Sequence, residues 1–160
     1  YEEVEADSNA TGQAAATVVL SSLAAGIGAI SVGGAAGLIS VTLGALVGWL
    51  IWAGLIYLIG AKLMPESGTD ADFGQVLRTI GFAASPGILR ILGVIPVLGW
   101  LVNLVVMVWM LCTTVIAVRS ALDYQSTGRA VAVCVIGWLV MAFVVGGIMA
   151  RFAGPGMGMS

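Results

Sequence analysis

Histidine is missing from this 160-residue sequence, and charge is scarce: Asp, Glu, Lys and Arg make up only 9% of it. A soluble domain carries about 25% charged residues, so this chain lacks the polar surface to cover a globule in water. Without histidine there is no imidazole for acid–base catalysis or metal ligation. The six Lys and Arg residues form neither a basic stripe nor a polybasic cluster, which excludes nucleic acid as a partner. The two cysteines, Cys112 and Cys134, lie in separate apolar runs without metal or redox spacing and read as small buried hydrophobes. Glu66, Asp70 and Asp72 share one loop but lack the ligand run and terminal glutamate of an EF-hand, so they read as solvated acids. There is no nucleophile–base pair, no carboxylate pair inside an apolar run and no glycine-rich phosphate loop after a strand. No catalytic residue, metal site or cofactor is expected.

Apolar sequence is what the chain has. Hydrophobic residues make up 60%, glycine contributes 23 residues and mean hydropathy is +1.10. Runs of about 20 apolar residues, the length that crosses a hydrocarbon core of roughly 30 Å, recur without strand-like alternation. The fold class expected is an all-α, polytopic membrane helix bundle. An acidic segment, residues 1–13, precedes a membrane domain over 14–152, and a flexible Gly/Met tail occupies 153–160. The absence of an initiating methionine at Tyr1 is expected either of a trimmed product or of part of a longer chain. Five transmembrane helices are expected, at about 14–30, 36–62, 80–96, 97–119 and 130–150. A short turn at 31–35 offers Gly33 and Gly34 for positive φ. Before the third span, residues 72–82 predict a short interfacial helix capped by Asp72, with Phe73, Val76, Leu77 and Ile80 on one face.

The stretch GFAASPGILRILGVIPVLGW, residues 81–100, decides the topology. If residues 80–96 cross, Lys62, Arg78, Arg119 and Arg129 share one side with the N-terminus and only Arg151 faces the other. If the stretch dips and returns, that asymmetry nearly vanishes. Cations accumulate in cytoplasmic loops, so five spans are expected, with the N-terminus cytoplasmic and the C-terminus outside. Pro86 suits the first turn of the crossing helix, and Pro96 with Gly99 suits a turn into the next. Arg90 is the exception within the stretch, since a mid-bilayer guanidinium costs about 2.5–3.5 kcal/mol. It either snorkels from a short tilted helix, pairs with another helix or subunit, or binds an anionic substrate.

Small residues at four-residue spacing form two ridges. Ala36, Ser40, Gly44 and Gly48 lie along the second span; Ala142, Gly146, Ala150 and Gly154 lie along the last. Such ridges let helix backbones approach closely, either inside one bundle or against another chain. Asn103, Thr113 and Thr114 are candidates for hydrogen bonds across helices. Trp49, Trp52, Trp100 and Trp138 read as interface anchors or packing groups, and the central Trp109 as packed.

The motifs DFGQVLRTIGFAASPGILRIL and STGRAVAV, on either side of a Trp-bearing span, resemble those of the Yip (Ypt-interacting-protein) family, specifically its small prokaryotic members. Phe73 leads into Gly81, Phe82, Ala83 and Pro86, which match a "GYA..P"-like step with Phe in place of Tyr. Ser126, Gly128, Arg129 and Ala130 match the loop before the last span. The resemblance covers about residues 35 to 150 and implies a five-helix membrane protein with a cytoplasmic N-terminus, here in a prokaryotic inner membrane. Eukaryotic relatives bind prenylated small GTPases, but through a chain with a long cytoplasmic N-terminal region, so GTPase binding is not carried over. The function expected is non-enzymatic: a scaffold or accessory subunit whose partners are membrane lipids and other integral membrane proteins or further copies of itself. A small channel or carrier for an ion or solute is the rival.

Overall fold

The computed structural model describes residues 3, 7, 9–27, 30–95 and 99–152. Among these, the secondary structure is entirely helical. Helix α1 spans Ala10–Ile27, α2 Ile30–Ile56, α3 Phe73–Ala83, α4 Gly99–Ala121 and α5 Thr127–Phe152. A π-helical turn, Tyr57–Leu63, extends α2, and a 3-10 helix, Ser85–Val94, follows α3. Four segments are long and apolar enough to cross a membrane: Ala10–Ile27, Gly34–Leu63, Gly99–Ala121 and Thr127–Arg151.

α1 begins four residues before the span expected at 14–30. α2 opens on a break where the sequence places a turn: Gly34 has φ 56° and ψ −156°, a conformation that a side chain would strain. From Gly34 to Leu63 the helix runs 30 residues, about 45 Å at 1.5 Å per residue, so it must tilt in or protrude from a core of about 30 Å.

Contacts between helices give their directions. Ala14 of α1 and Trp49 of α2 both abut Gly81 of α3, while Gly26 of α1 meets Leu38 near the start of α2. Ser21 of α1 meets Ala84 and Gly87, so α1 runs parallel to the α3–3-10 unit and antiparallel to α2. Thr113 of α4 reaches Ala83 and Met110 reaches Gly87, so α4 runs the other way. Gly137 of α5 packs on Trp52 and Ile56, while Arg129 lies beside Pro65. The chain therefore passes along the bundle five times in alternating directions. The loops at 64–72 and 122–126 and the start of α1 lie at one end; α5 ends at the other.

The third pass is not one helix over 80–96. It divides at Ala84 into α3, a full turn and more longer at its N-terminus than that span, and the 3-10 helix. Asp72 caps α3 as expected, in a reciprocal box with Gln75: the Gly74 N–H donates to Asp72 Oδ1 (2.6 Å) and the Asp72 N–H donates to Gln75 Oε1 (2.6 Å). Val76, Leu77 and Ile80 are buried as one face predicts, but so are Arg78, Thr79, Gly81 and Ala83. α3 therefore sits among α1, α2 and α4.

The division has a cause in Pro86. Its ring nitrogen carries no hydrogen for the carbonyls a turn behind it, and a backbone acceptor without a partner is expensive inside a membrane. A neighbouring hydroxyl supplies a donor: Thr113 Oγ, which also stands 3.1 Å from Trp109 O and Met110 O of its own helix, reaches Ala83 O at 3.0 Å. Ser21 Oγ adds a second hydrogen bond (2.7 Å) to Ala84 O, which already accepts from the Gly87 N–H (2.9 Å). Pro86 itself is buried at the opening of the 3-10 helix. Pro96 lies outside the described residues.

The buried core gathers toward the loop end. Ala53, Ile56, Ile59, Val76, Leu77, Val118, Leu122, Tyr124 and Val133 form one cluster joining α2, α3, α4 and α5. Further along, α4 and α5 expose large apolar side chains, among them Trp109 (51%), Leu139 (66%) and Phe143 (84%). In a soluble protein such a surface would aggregate; facing hydrocarbon, it is the surface a membrane helix presents.

Candidate interface and loop clasp

The best-defined polar structure is a clasp joining the two loops. Tyr124, 3% exposed, shares its phenol hydrogen between Gly60 O (2.9 Å) and Met64 O (2.7 Å). These carbonyls belong to the end of the π-helical turn, which the fourth and fifth passes thereby grip. Next to it, the Gln125 N–H donates to Glu66 Oε2 (2.8 Å). Arg129 Nε lies 3.4 Å from Glu66 Oε1, and its other arm donates to Pro65 O (3.3 Å). Arg119, in the last turn of α4 where a cation suits the helix C-terminus, donates to Tyr124 O (3.2 Å) and Gln125 O (3.3 Å) of the loop that follows. Leu122 packs directly on Gly60, where any Cβ would collide with it. Burial, reinforced by the Glu66 carboxylate and opposed by the Arg129 guanidinium, raises the Tyr124 phenol above its ordinary pKa.

The family-motif positions fall at this clasp and at the third pass. Arg129 is a member of the clasp, while Ser126 and Gly128 lie exposed in the turn beside it. Phe73 stacks edge-on against Tyr57, with centroids 6.2 Å apart. Phe82 is half-buried and Pro86 buried. Gly81 is a point of closest approach: a Cβ there would stand 2.7 Å from Ala14 Cβ and 3.0 Å from the Trp49 ring. The Trp49 indole N–H donates to Leu77 O (2.9 Å) and so ties α2 to α3.

A model of the Yip1 domain family matches residues 1–148. The chain belongs to that family. Comparison with curated proteins and with solved structures gives no match. The family match reaches to residue 1, well beyond the portion from residue 35 on which the motifs rest, and so takes in α1. This Yip1-domain chain is a membrane protein built of apolar helices, and those helices contact lipid.

Among the described residues the two small-residue ridges are left largely uncovered. Ala36, Ser40 and Gly44 are exposed and Gly48 is half-buried; Ala142, Gly146 and Ala150 are exposed. Among the described residues, a Cβ at Gly44, Gly48 or Gly146 would meet nothing within 4 Å. Gly154 lies outside the described residues. Close helix packing instead uses Gly60 and Gly81, which belong to no repeat and so give no periodic signal in the sequence.

The polar residues of the spans also sort differently from expectation. Asn103 is exposed and its amide donates back to Gly99 O (2.8 Å) of its own helix. Thr114 likewise donates to Met110 O (2.7 Å); of the three candidates only Thr113 reaches another helix. Trp109 is half-exposed on the outside of α4. Cys112 is exposed and Cys134 half-buried, both as free thiols, so Cys112 is not the buried hydrophobe expected. Glu66 is held in the clasp, its side chain 13% exposed, and is not a solvated acid. Among the described residues it forms no three-carboxylate group with Asp70 and Asp72. Arg90 is half-buried and lines a cavity of about 380 Å³ between α1, α2, α4 and the 3-10 helix.

Proposed function

We propose that this Yip1-domain protein is non-enzymatic and acts as a scaffold or accessory subunit by packing against other integral membrane proteins or a second copy of itself. One observation carries the reading. From Ala142 to Arg151 every residue of α5 is exposed, so two to three helical turns stand clear of their own bundle, with Ala142, Gly146 and Ala150 in a row along them. Small residues in that register suit close backbone approach by another helix, where dispersion and weak Cα–H contacts provide the attraction that lipid does not.

The bundle's orientation supports the same reading. Lys62, Arg119 and Arg129 flank the two loops at one end, with the start of α1, and Arg151 lies at the other, which favours a cytoplasmic loop end in an inner membrane. The clasped loops then present a cytoplasmic face and α5 a lateral one.

Gentle extraction in mild detergent and measurement of the assembly's mass test the proposal. The native chain is expected to migrate with a partner or as an oligomer. Gly146→Leu, which adds bulk where no described residue stands within 4 Å of a Cβ, should shift the population toward the monomer by about tenfold or more, as loss of close packing worth a little over 1 kcal/mol would do. A monomeric native chain that carries an ion or solute across liposomes would favour the channel reading instead.

A further inference from the structure

The cavity that Arg90 lines is walled by apolar side chains, among them Val18 of α1, Val41 and Trp52 of α2 and Met110 of α4. Its hydroxyls have already spent their hydrogens: Ser21 on Ala84 O, Ser22 on Val19 O and Thr114 on Met110 O. The Trp49 indole N–H is likewise used on Leu77 O. The Arg90 guanidinium and the Trp52 indole N–H remain as donors without a partner among the described residues. An occupant must therefore bring acceptors to one side and hydrocarbon to the other.

Among the described residues Arg90 has no acidic partner. All eight acidic residues lie at positions 2–7, 66–72 and 123, ahead of α1 or in the two clasped loops, so none stands in any of the five passes. Arg90 is toward the opposite end, four residues before Val94 closes the 3-10 helix. At 2.0 Å per residue that is about 8 Å from the helix end, within reach of a lipid headgroup for a long side chain. The neighbouring Ile88, Leu89, Ile91 and Leu92 are 38–48% exposed, which makes the approach to the cavity a lipid-facing surface. Its volume of about 380 Å³ lies within the usual range of small-molecule pockets, about 300–1,000 Å³.

We propose that this cavity binds one anionic phospholipid, its phosphate held by Arg90 and part of an acyl chain lying against α1 and α2. The guanidinium fork suits two phosphate oxygens at once.

The test is native mass spectrometry of the full chain in mild detergent, supplied with equal amounts of phosphatidylglycerol and phosphatidylcholine. One phosphatidylglycerol should be retained per chain, with a preference of about tenfold: both lipids offer the phosphate, but phosphatidylcholine brings a choline cation beside the Arg90 guanidinium, and like charges at such range repel by about 1 kcal/mol or more. Arg90→Gln should bring the two lipids to near-equal retention, and Arg90→Lys should keep most of the preference. Ala45→Phe, which fills the cavity from α2 and leaves Arg90 in place, should lower retention, and it keeps the test decisive if Arg90→Gln fails to insert. Equal retention by the native chain, or a preference that survives Arg90→Gln, overturns the proposal. Displacement of the lipid by millimolar inorganic phosphate would also overturn it, by making the site one for a free anion.

Discussion

Tyr124 concentrates the chemistry of the loop end in one hydroxyl. It is almost wholly buried, it answers two carbonyls at the close of the π-helical turn, and the Glu66 carboxylate disfavours its ionisation. Tyr124→Phe keeps the ring and removes the donor, so it should destabilise the chain by about 1 kcal/mol at neutral pH, read as a lower unfolding midpoint in detergent. The pH dependence has a definite sign. The fold favours the neutral phenol and raises its pKa, so this contribution is fully present below the ordinary value near 10 and is lost as pH climbs through the raised one. The gap between native and Tyr124→Phe midpoints should therefore narrow above about pH 10. A constant gap to pH 11 would remove the proton from the explanation. Arg129 and Glu66 should matter less, since Arg129 is half-exposed and such a pair contributes about 0.2–1 kcal/mol.

At the scale of elements, the third pass shows how a broken segment survives among apolar helices. Pro86 ends α3 and forces a tighter helix; Thr113 and Ser21 then donate to the carbonyls at the break. Thr113→Val preserves shape and removes that donor. It should cost about 0.6 kcal/mol, the mean for such bonds between membrane helices, and up to about 1.7 kcal/mol if Ala83 O finds no substitute. Ser120→Ala, at the end of the same helix and remote from the break, is the control, and equal effects of the two would dismiss the role given to Thr113. The sequence makes some of this legible and not the rest. Long uninterrupted runs reveal α2, α4 and α5 because each exceeds the length needed to cross the hydrocarbon core. Asp72 followed by Gln75 reveals the start of α3 because the capping box is local. The hydroxyls that reach Ala83 O and Ala84 O lie 30 and 63 residues away, and no local pattern encodes such distances. Small-residue spacing likewise shows that a helix can be approached closely without showing by what, so Gly44 and Gly146 cannot be told from true packing positions until their surroundings are known. Gly60 packs closely yet stands alone in the sequence, and Gly81 is singled out only by the GFA..P motif, with no repeat to announce its contact.

At the scale of the whole molecule, the clasp and the alternating passes together constrain how the protein can sit in a bilayer. Glu66 touches both Gln125 and Arg129, so the loops at 64–72 and 122–126 must share one aqueous side, whichever it is. α4 descends 23 residues to reach the clasp, about 35 Å at 1.5 Å per residue, and so starts at the far side. The chain has to climb that distance between Asp72 and Gly99, although neither α3 nor the 3-10 helix is long enough to do so alone. Their combined rise, 11 residues of α-helix and 10 of 3-10 helix, is about 36 Å if they run nearly end to end. That is sufficient for a crossing built from two pieces. Single cysteines at Gly68, Gly128 and Ser160, in a chain with Cys112 and Cys134 replaced by alanine, test the consequence. A membrane-impermeant thiol reagent should reach the first two from the cytosolic side and the third from the exterior. Labelling of Gly68→Cys and Gly128→Cys from opposite sides would mean that the third pass turns back within the membrane, and the clasp could not then exist in the bilayer.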